Sequence, residues 1–284
     1  MPRDDAGRSD QELAEWLAGR AGALLLALRA SDERDDPPAL RATGDRAAHE
    51  LLVAELGRRR PGDAVLSEED AGSRVADGAA ARLGAERVWI VDPLDGTREY
   101  GEPGRVDWAV HVALWRRGEP PHARPGVAAS APAGGELIAG AVALPAQERL
   151  LGVAEVVPAP TSGPLRLAVS RTRPPAFVPG LLAAVGGVPV PMGSAGAKVC
   201  AVVTGEVDAY VHTGGQYEWD SAAPVAVARA AGLHTSRVDG SPLRYNQADP
   251  RLPDLLVCRR EHSATLLAAL ATFIAAETSG KAMA

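Results

Sequence analysis

Val88-Trp89-Ile90-Val91 runs without a polar residue straight into Asp92-Pro93-Leu94-Asp95-Gly96-Thr97. A short apolar run bounded by turn residues reads as a buried strand, so the fold must hide this strand while leaving its end open. That end carries two carboxylates. Pro93 holds Asp92 in an extended conformation and removes one backbone donor. Gly96 permits a tight turn with close backbone approach, and Thr97 adds a hydroxyl where the chain can enter a helix. Acids at a strand end can hold a hard divalent cation through oxygen. The free N–H groups of a helix start can hold a phosphate. Taken alone, the same residues also fit an Asp-Gly turn whose acids are solvated or capping.

The rest of the chain narrows the choice. Its 284 residues suffice for one large domain or two modest ones sharing a core. A net charge of −6 argues against a partner that is a nucleic acid polymer. Cys200 and Cys258 are the two cysteines, each flanked by apolar residues, which predicts reduced core thiols rather than a disulfide or zinc site. The N-terminus is polar and no apolar stretch is long enough to span a bilayer. These features predict a cytoplasmic protein with no stable membrane insertion.

In order, Ser9-Asp10-Gln11-Glu12 is a capping box opening an amphipathic helix that carries Leu13, Trp16, Leu17, Leu24 and Leu28. Gly44-Asp45 is read as the start of a second helix, with Arg58, Arg59 and Arg60 as its solvated end. Ala64-Val65-Leu66 is a short strand ending in Ser67-Glu68-Glu69-Asp70, and residues 71–86 read as a loop. Asp107 to Trp115 alternates Trp108, Val110, Val112 and Leu114, the pattern of a half-buried strand. Residues 116–135, rich in Pro, Gly and Ala, read as a long hairpin loop before two more strands. Residues 155–164 form a linker, which divides the chain into 9–156, with a meander sheet, and 164–276, alternating strand and helix. In the second part Gly193 to Lys198 opens one helix and Trp219-Asp220 another, with a closing helix from Glu261 to Ala276.

Separated segments thus bring acids to element ends: Asp45, Glu68 with Glu69, Asp92 with Asp95, and Asp220. Each has a bland reading, Asp220 as a helix-terminal acid and Glu68 as a solvated loop residue. Their order resembles that of the inositol monophosphatase-like, lithium-sensitive phosphatases: Gly44-Asp45, then Ser67-Glu68-Glu69, then Trp89 to Thr97, then Trp219-Asp220. The resemblance covers about residues 10 to 275. Asp92 to Glu102, Gly193 to Lys198 and Pro242 to Asn246 look most like the CysQ branch, whose members are 3′(2′),5′-bisphosphate nucleotidases. Two departures stand out: Ser67 replaces a frequent Gly, and the Gly193 stretch is one residue longer than in many nucleotidases.

The resemblance implies an α/β (α+β) fold, a layered α-β-α-β-α sandwich with the active site between the two halves. It implies metal ligation by Glu68, Asp92, the Leu94 carbonyl, Asp95 and Asp220. It gives Glu68, Thr97 and Asp45 the catalytic handling of water. It places Glu69, Leu94, Asp95, Gly96, Thr97, Lys198 and Asp220 at the substrate. The implied cofactor is Mg²⁺, two or three ions, which suits phosphate-ester hydrolysis because cations neutralise the phosphate, acidify a water and stabilise the leaving oxygen. Four clustered acids without cations would repel one another. The implied reaction is removal of the 3′-phosphate of 3′-phosphoadenosine 5′-phosphate, or its sulfated form, in sulfur assimilation. Inositol 1-phosphate and fructose 1,6-bisphosphate are the alternative substrates, and a non-catalytic metal- or nucleotide-binding regulator is the alternative class. The expected assembly is a monomer or homodimer. For the base, Tyr217, Trp219 and Tyr245 are the candidate neighbours, and Lys198, Arg244 and Arg98 the candidate partners of a second phosphate. The six histidines show no ligand spacing and read as surface or core residues.

Overall fold

A computed structural model of the chain describes residues 7–31, 36–70, 76–118, 134–155 and 162–281, with 76–78 and 274–281 described by their backbone. Helix α1 (Asp10–Arg29) opens on the expected reciprocal cap: Ser9 N donates to Glu12 Oε2 at 2.8 Å, and Glu12 N to Ser9 Oγ at 3.2 Å. Leu13, Leu17, Ala21 and Leu25 form its buried stripe. Helix α2 spans Pro37–Arg59, so it begins seven residues before the Gly44-Asp45 start read from the sequence. The Asp36 carboxylate caps it through Ala39 N at 3.1 Å, and Pro37 fits the first turn, where its missing N–H would have no partner anyway. Asp45 therefore projects from mid-helix. The three arginines at the end of α2 are not all solvated. Arg59 lies over the Trp16 ring at 4.1 Å and Arg60 pairs with Asp10 at 3.1 Å, while Arg58 stays exposed.

The first sheet runs β1 (Ala64–Ser67), β2 (Arg87–Asp95), β3 (Ala109–Arg116), β4 (Glu136–Leu144), β5 (Arg149–Leu151) in spatial order. β1 is parallel to β2 and the remaining pairs are an antiparallel meander. Between β1 and β2 stands helix α3 (Ala76–Gly84), where the sequence suggested only a loop. β3 is buried from Ala109 to Trp115, not half-buried, because α1 packs on one face and a helix of the second half on the other. A short helix, α4 (Thr97–Tyr100), follows β2. The hairpin joining β3 and β4 is present, and most of its connection, residues 119–133, lies outside the described residues.

The second sheet is built from β6 (Leu165–Ser170), β7 (Gly187–Met192), β8 (Ala209–Tyr217), β9 (His234–Ser236) and β10 (Arg251–Cys258), in the order β7-β6-β8-β10-β9. Helices α5 (Val178–Val185) and α8 (Arg260–Lys281) cover its outer face, with Leu181, Leu266 and Leu270 in one apolar cluster with Leu167 and Val211. Helices α6 (Ala195–Val203) and α7 (Glu218–Ala230) lie between the two sheets, and both are buried along nearly their whole length. The layers are therefore α-β-α-β-α. A single core joins Leu66, Ile90 and Ala113 of the first sheet to Val199, Ala223 and Val227 of these central helices. Burial on all sides explains why α6 and α7 read as small apolar runs rather than amphipathic stripes. α8 extends to Lys281, past the expected end at Ala276, and residues 282–284 and 156–161 lie outside the described residues. Cys200 and Cys258 are buried free thiols.

Candidate metal centre

The end of β2 is shaped by its proline. Pairing with β3 matches Asp92 to His111 and Asp95 to Ala109, leaving two residues opposite one, so the strand bulges at Pro93-Leu94. A bulge bends the strand and re-aims side chains, and here it turns Asp92 and Asp95 toward one point. Leu94 N donates to Asp92 Oδ1 at 3.0 Å. Gly96, at a φ of 84° that a side chain would strain, turns the chain into α4. Thr97 Oγ1 then donates to the Leu94 carbonyl at 3.0 Å.

The second half closes on this end. Ser194 holds an unusual φ of 45° before α6. Its hydroxyl donates to Asp95 Oδ2 at 2.5 Å and accepts from Ala197 N at 2.9 Å. Ala195 N and Gly196 N donate to the same carboxylate at 3.1 and 2.6 Å. His111 Nε2 lies 3.2 Å from Asp95 Oδ2, and its Nδ1 donates to the Trp219 carbonyl at 3.0 Å. A Cβ on Gly196 would stand 2.0 Å from that imidazole, so the approach requires glycine. Asp220, in the first turn of α7, completes the cluster and accepts from Tyr217 N at 2.7 Å. Carboxylate oxygens of Asp92, Asp95 and Asp220 lie within 4.8 Å of one another.

These acids do not share one electrostatic state. Burial pushes Asp95 up, but His111, the Ser194 hydroxyl and the α6 amides outweigh it and hold the group at about 2. Asp92 is raised well above its ordinary value, first by burial, then by Glu68, Asp95 and Asp220. Asp220 is raised to about 7 by burial and by Asp95. Asp45 is raised to about 7 by burial, Glu69 and Glu68, against a hydrogen bond with Thr97. Burial opposes protonation of His111, yet Asp95 and the Trp219 carbonyl raise it overall.

A cation fits this set. Asp92 Oδ2 is buried with no hydrogen-bond partner, and the carboxylates around it are hard oxygen donors. A buried carboxylate oxygen facing other acids is an unfavourable arrangement that a divalent ion reverses.

The structure brings most of the sequence-derived residues to this point. Asp92, Asp95 and Asp220 converge directly. Glu68, at the end of β1, is close enough for its charge to raise Asp45, Asp92 and Asp220. Glu69 is exposed and acts on Asp45. Leu94, Gly96 and Thr97 form the turn beside the acids. Lys198 is buried, its ammonium donating to the Gly193 and Ser194 carbonyls at 3.0 and 2.6 Å over the Tyr210 ring. A cleft of about 670 Å³ adjoins the acids and runs between α4 and the second sheet, lined among others by Arg98, Arg173, Phe177, Met192, Lys198 and His212. Trp219 and Tyr245 are buried, and Tyr217 stacks on Trp219 at 4.6 Å, so the three aromatics expected near a base are outside the cleft lining. Arg244 is exposed outside it as well.

Two participants were missed in the sequence. His111 is one of six histidines expected at the surface or in the core, and it is a core residue, while Ser194 belongs in sequence to a stretch that opens a helix. The signal for His111 was its parity: it alternates with the apolar face of β3 and neighbours Asp92 in the next strand. That signal gains meaning only once β3 is known to be covered on both faces.

Comparison with known proteins agrees with this architecture. The model of the inositol monophosphatase family matches residues 14–275. A Mycobacterium bovis protein named 3′-phosphoadenosine 5′-phosphate phosphatase is 52% identical over 259 residues, 88% of this chain and 89% of the relative. The Escherichia coli 3′(2′),5′-bisphosphate nucleotidase CysQ is 32% identical, over 71% of this chain and 77% of its own. Among solved structures, CysQ from Bacteroides thetaiotaomicron superposes with a TM-score of 0.70 at 25% identity, covering 90% of this chain and 99% of that one.

Proposed function

We propose that this chain, which belongs to the inositol monophosphatase family, hydrolyses the 3′-phosphate of 3′-phosphoadenosine 5′-phosphate with the help of Mg²⁺. The observation that carries the reading is identity of 52%, over most of the chain, to a relative named for that substrate. Convergence of the acids gives the reading its chemistry.

In this reading Glu68, Asp92, the Leu94 carbonyl, Asp95 and Asp220 hold the divalent ions. When bound, the ions neutralise the phosphate, acidify a water and stabilise the leaving oxygen. The chain's own groups do the rest. The α6 amides, Ser194 and His111 pin Asp95 in its ionised form, so a negative ligand is in place at neutral pH. Asp45, hydrogen-bonded to Thr97 and held near neutrality, is suited to accept a proton from the attacking water. The Gly96 and Thr97 amides offer donors to the phosphate oxygens. Lys198 holds the Gly193-Ser194 carbonyls and so fixes the wall from which Ser194 reaches Asp95. Arg98 and Arg173 line the cleft as cations for a second phosphate, and Phe177 and Met192 give it an apolar wall for a base. Among the described residues no helix is long and apolar enough to cross a membrane.

The test is phosphate release from three substrates: 3′-phosphoadenosine 5′-phosphate, inositol 1-phosphate and fructose 1,6-bisphosphate, with Mg²⁺ titrated and lithium added. We expect the nucleotide to have a kcat/KM at least about tenfold above the others, the factor one lost contact of 1.4 kcal/mol would give. A preference for inositol or fructose phosphate would overturn the substrate, and turnover in chelator would overturn the metal.

A further inference from the structure

Helix α3 carries a guanidinium that reaches across to the second half of the molecule. Arg82 is only 3% exposed. Its Nη1 donates to Asn246 Oδ1, and its Nη2 to the Gln247 carbonyl at 2.9 Å. The backbone amides of those same two residues donate to Glu218, Asn246 N to Oε2 at 2.6 Å and Gln247 N to Oε1 at 2.7 Å. Glu218 is 1% exposed, and its charge and that of Arg82 act on each other. The turn at 246–247 is thus gripped from both sides. Asn246 sits at a φ of 59°, a region asparagine tolerates.

Glu218 is the first residue of α7 and Asp220 the third. Their carboxylates serve different neighbours: Glu218 faces the 246–247 turn, and Asp220 faces Asp92 and Asp95. Glu218 N also donates to the Pro250 carbonyl at 2.8 Å. Held at its backbone and at both carboxylate oxygens, Glu218 cannot rotate about the helix axis, so the direction of Asp220 is fixed with it. Burying a guanidinium and a carboxylate carries a large desolvation cost that rarely returns as net stability. Orientation is what the arrangement supplies.

We propose that Arg82 is a positioning residue for the metal centre, acting through Asn246, Gln247 and Glu218 on the first turn of α7 that presents Asp220. The inference rests on the reading above that the acid cluster holds a divalent cation. A fork of two parallel donors is required, because Asn246 Oδ1 and the Gln247 carbonyl are engaged together. Lysine carries its donors on one nitrogen and cannot present two parallel N–H groups from separate nitrogens as the guanidinium does.

The test uses the full chain and Mn²⁺ as the probe, with free Mn²⁺ read by electron paramagnetic resonance. Arg82→Lys and Asn246→Gly are compared with wild type. Glycine suits the positive φ at 246 and removes only the side-chain acceptor. Groups hydrogen-bonded directly to a metal ligand typically contribute 10- to 100-fold in metal affinity, and Arg82 acts from further out. We expect Arg82→Lys to weaken Mn²⁺ binding by about tenfold, the low end of that range, with Asn246→Gly shifted the same way by less. In Arg82→Lys, kcat should recover at high metal while KM for the nucleotide stays at the wild-type value, and the metal-free protein should still melt cooperatively. Wild-type Mn²⁺ affinity in Arg82→Lys would overturn the proposal. So would wild-type affinity in Asn246→Gly combined with an Arg82→Lys protein that no longer folds. A wild-type chain that takes up no Mn²⁺ would instead overturn the metal reading, and the proposal with it.

Discussion

Asp92 and Asp95 lie three positions apart on one strand end and yet hold opposite tendencies. Asp95 sits on the α6 amides and beside His111, which favour its anion. Asp92 has one amide donor, at Leu94, with His111 Nδ1 4.0 Å from its Oδ2, and the charges of Glu68, Asp95 and Asp220 act on it. The difference makes one substitution informative. Asp92→Asn removes a buried carboxyl whose anion is stable only with a cation beside it. In chelator at alkaline pH, where that anion must form, the variant should be more stable than wild type, by about 1–3 kcal/mol, the usual cost of an unsatisfied buried group. In Mg²⁺ its turnover should fall at least about 100-fold, because a ligand itself is lost rather than a supporting neighbour. Urea midpoints in chelator and phosphate release in Mg²⁺ measure the two effects. A variant destabilised without metal would mean that Asp92 is held by partners other than a cation. The acids themselves were legible in the sequence because the strand end at Pro93 and the turn at Gly96 are written in residue types. The groups that tune them were not: Ser194 and His111 act through tertiary contacts about 100 positions from Asp95 or Trp219.

At the scale of elements, α2 shows where sequence reasoning slipped and why. Gly44 resembles a helix boundary, and Pro37-Pro38 resembles a loop, yet the helix runs through the glycine. Asp36 followed by proline was the true start signal, a cap with a residue already fixed in helical φ. Gly44 is there for clearance. A Cβ would stand 2.8 Å from Tyr100 Cε1 and 3.2 Å from Leu25 Cδ2, where α2 crosses α4 and α1. Helix propensity favours alanine over glycine by about 1 kcal/mol, while overpacking costs about 1–3 kcal/mol. Gly44→Ala should therefore lower stability, by a net of about 1 kcal/mol. It should also lower kcat, because Asp45 is the next residue and must keep its hydrogen bond to Thr97. A urea midpoint that rises would show that Tyr100 moves aside freely. α3 escaped sequence reading for a related reason. Its residues, ADGAAARLG, are mostly small, and the side it buries includes Ala79 and the charged Arg82, so the helix is defined by what holds it. Arg117 caps its end through the Leu83 and Ala85 carbonyls at 2.6 and 2.8 Å, and Arg82 anchors it to the 246–247 turn.

At the scale of the whole molecule, the layers meet where charge is most crowded, and stability must depend on pH in a way set by the metal. In the metal-free protein Asp45, Asp220 and Glu218 each stand at about 7 when folded. In the unfolded chain such groups titrate near 4. A raised carboxyl means that the folded state binds the proton more tightly. The stability it contributes is fully present below about pH 4 and is lost as pH rises through about 7. Asp95, held at about 2, has the opposite sign, and its contribution is lost only as pH falls toward that value, outside this window. His212, lowered to about 4 by burial, also opposes the trend and acts within the window, one group against three. Chelated protein should accordingly show a higher urea midpoint at pH 5 than at pH 8. Mg²⁺ selects the deprotonated acids, so it should add little at pH 5. At pH 8 it should add about 2.7 kcal/mol at a concentration 100 times its dissociation constant. The gap between loaded and chelated midpoints should thus widen steadily from pH 5 to pH 8. Asp220→Asn should flatten both curves, removing one of the titrating groups and one ligand together. If the chelated protein were instead more stable at pH 8, Asp45 and Asp220 would have to be stabilised as anions by the folded chain itself, and the acid cluster would give no electrostatic reason for a cation.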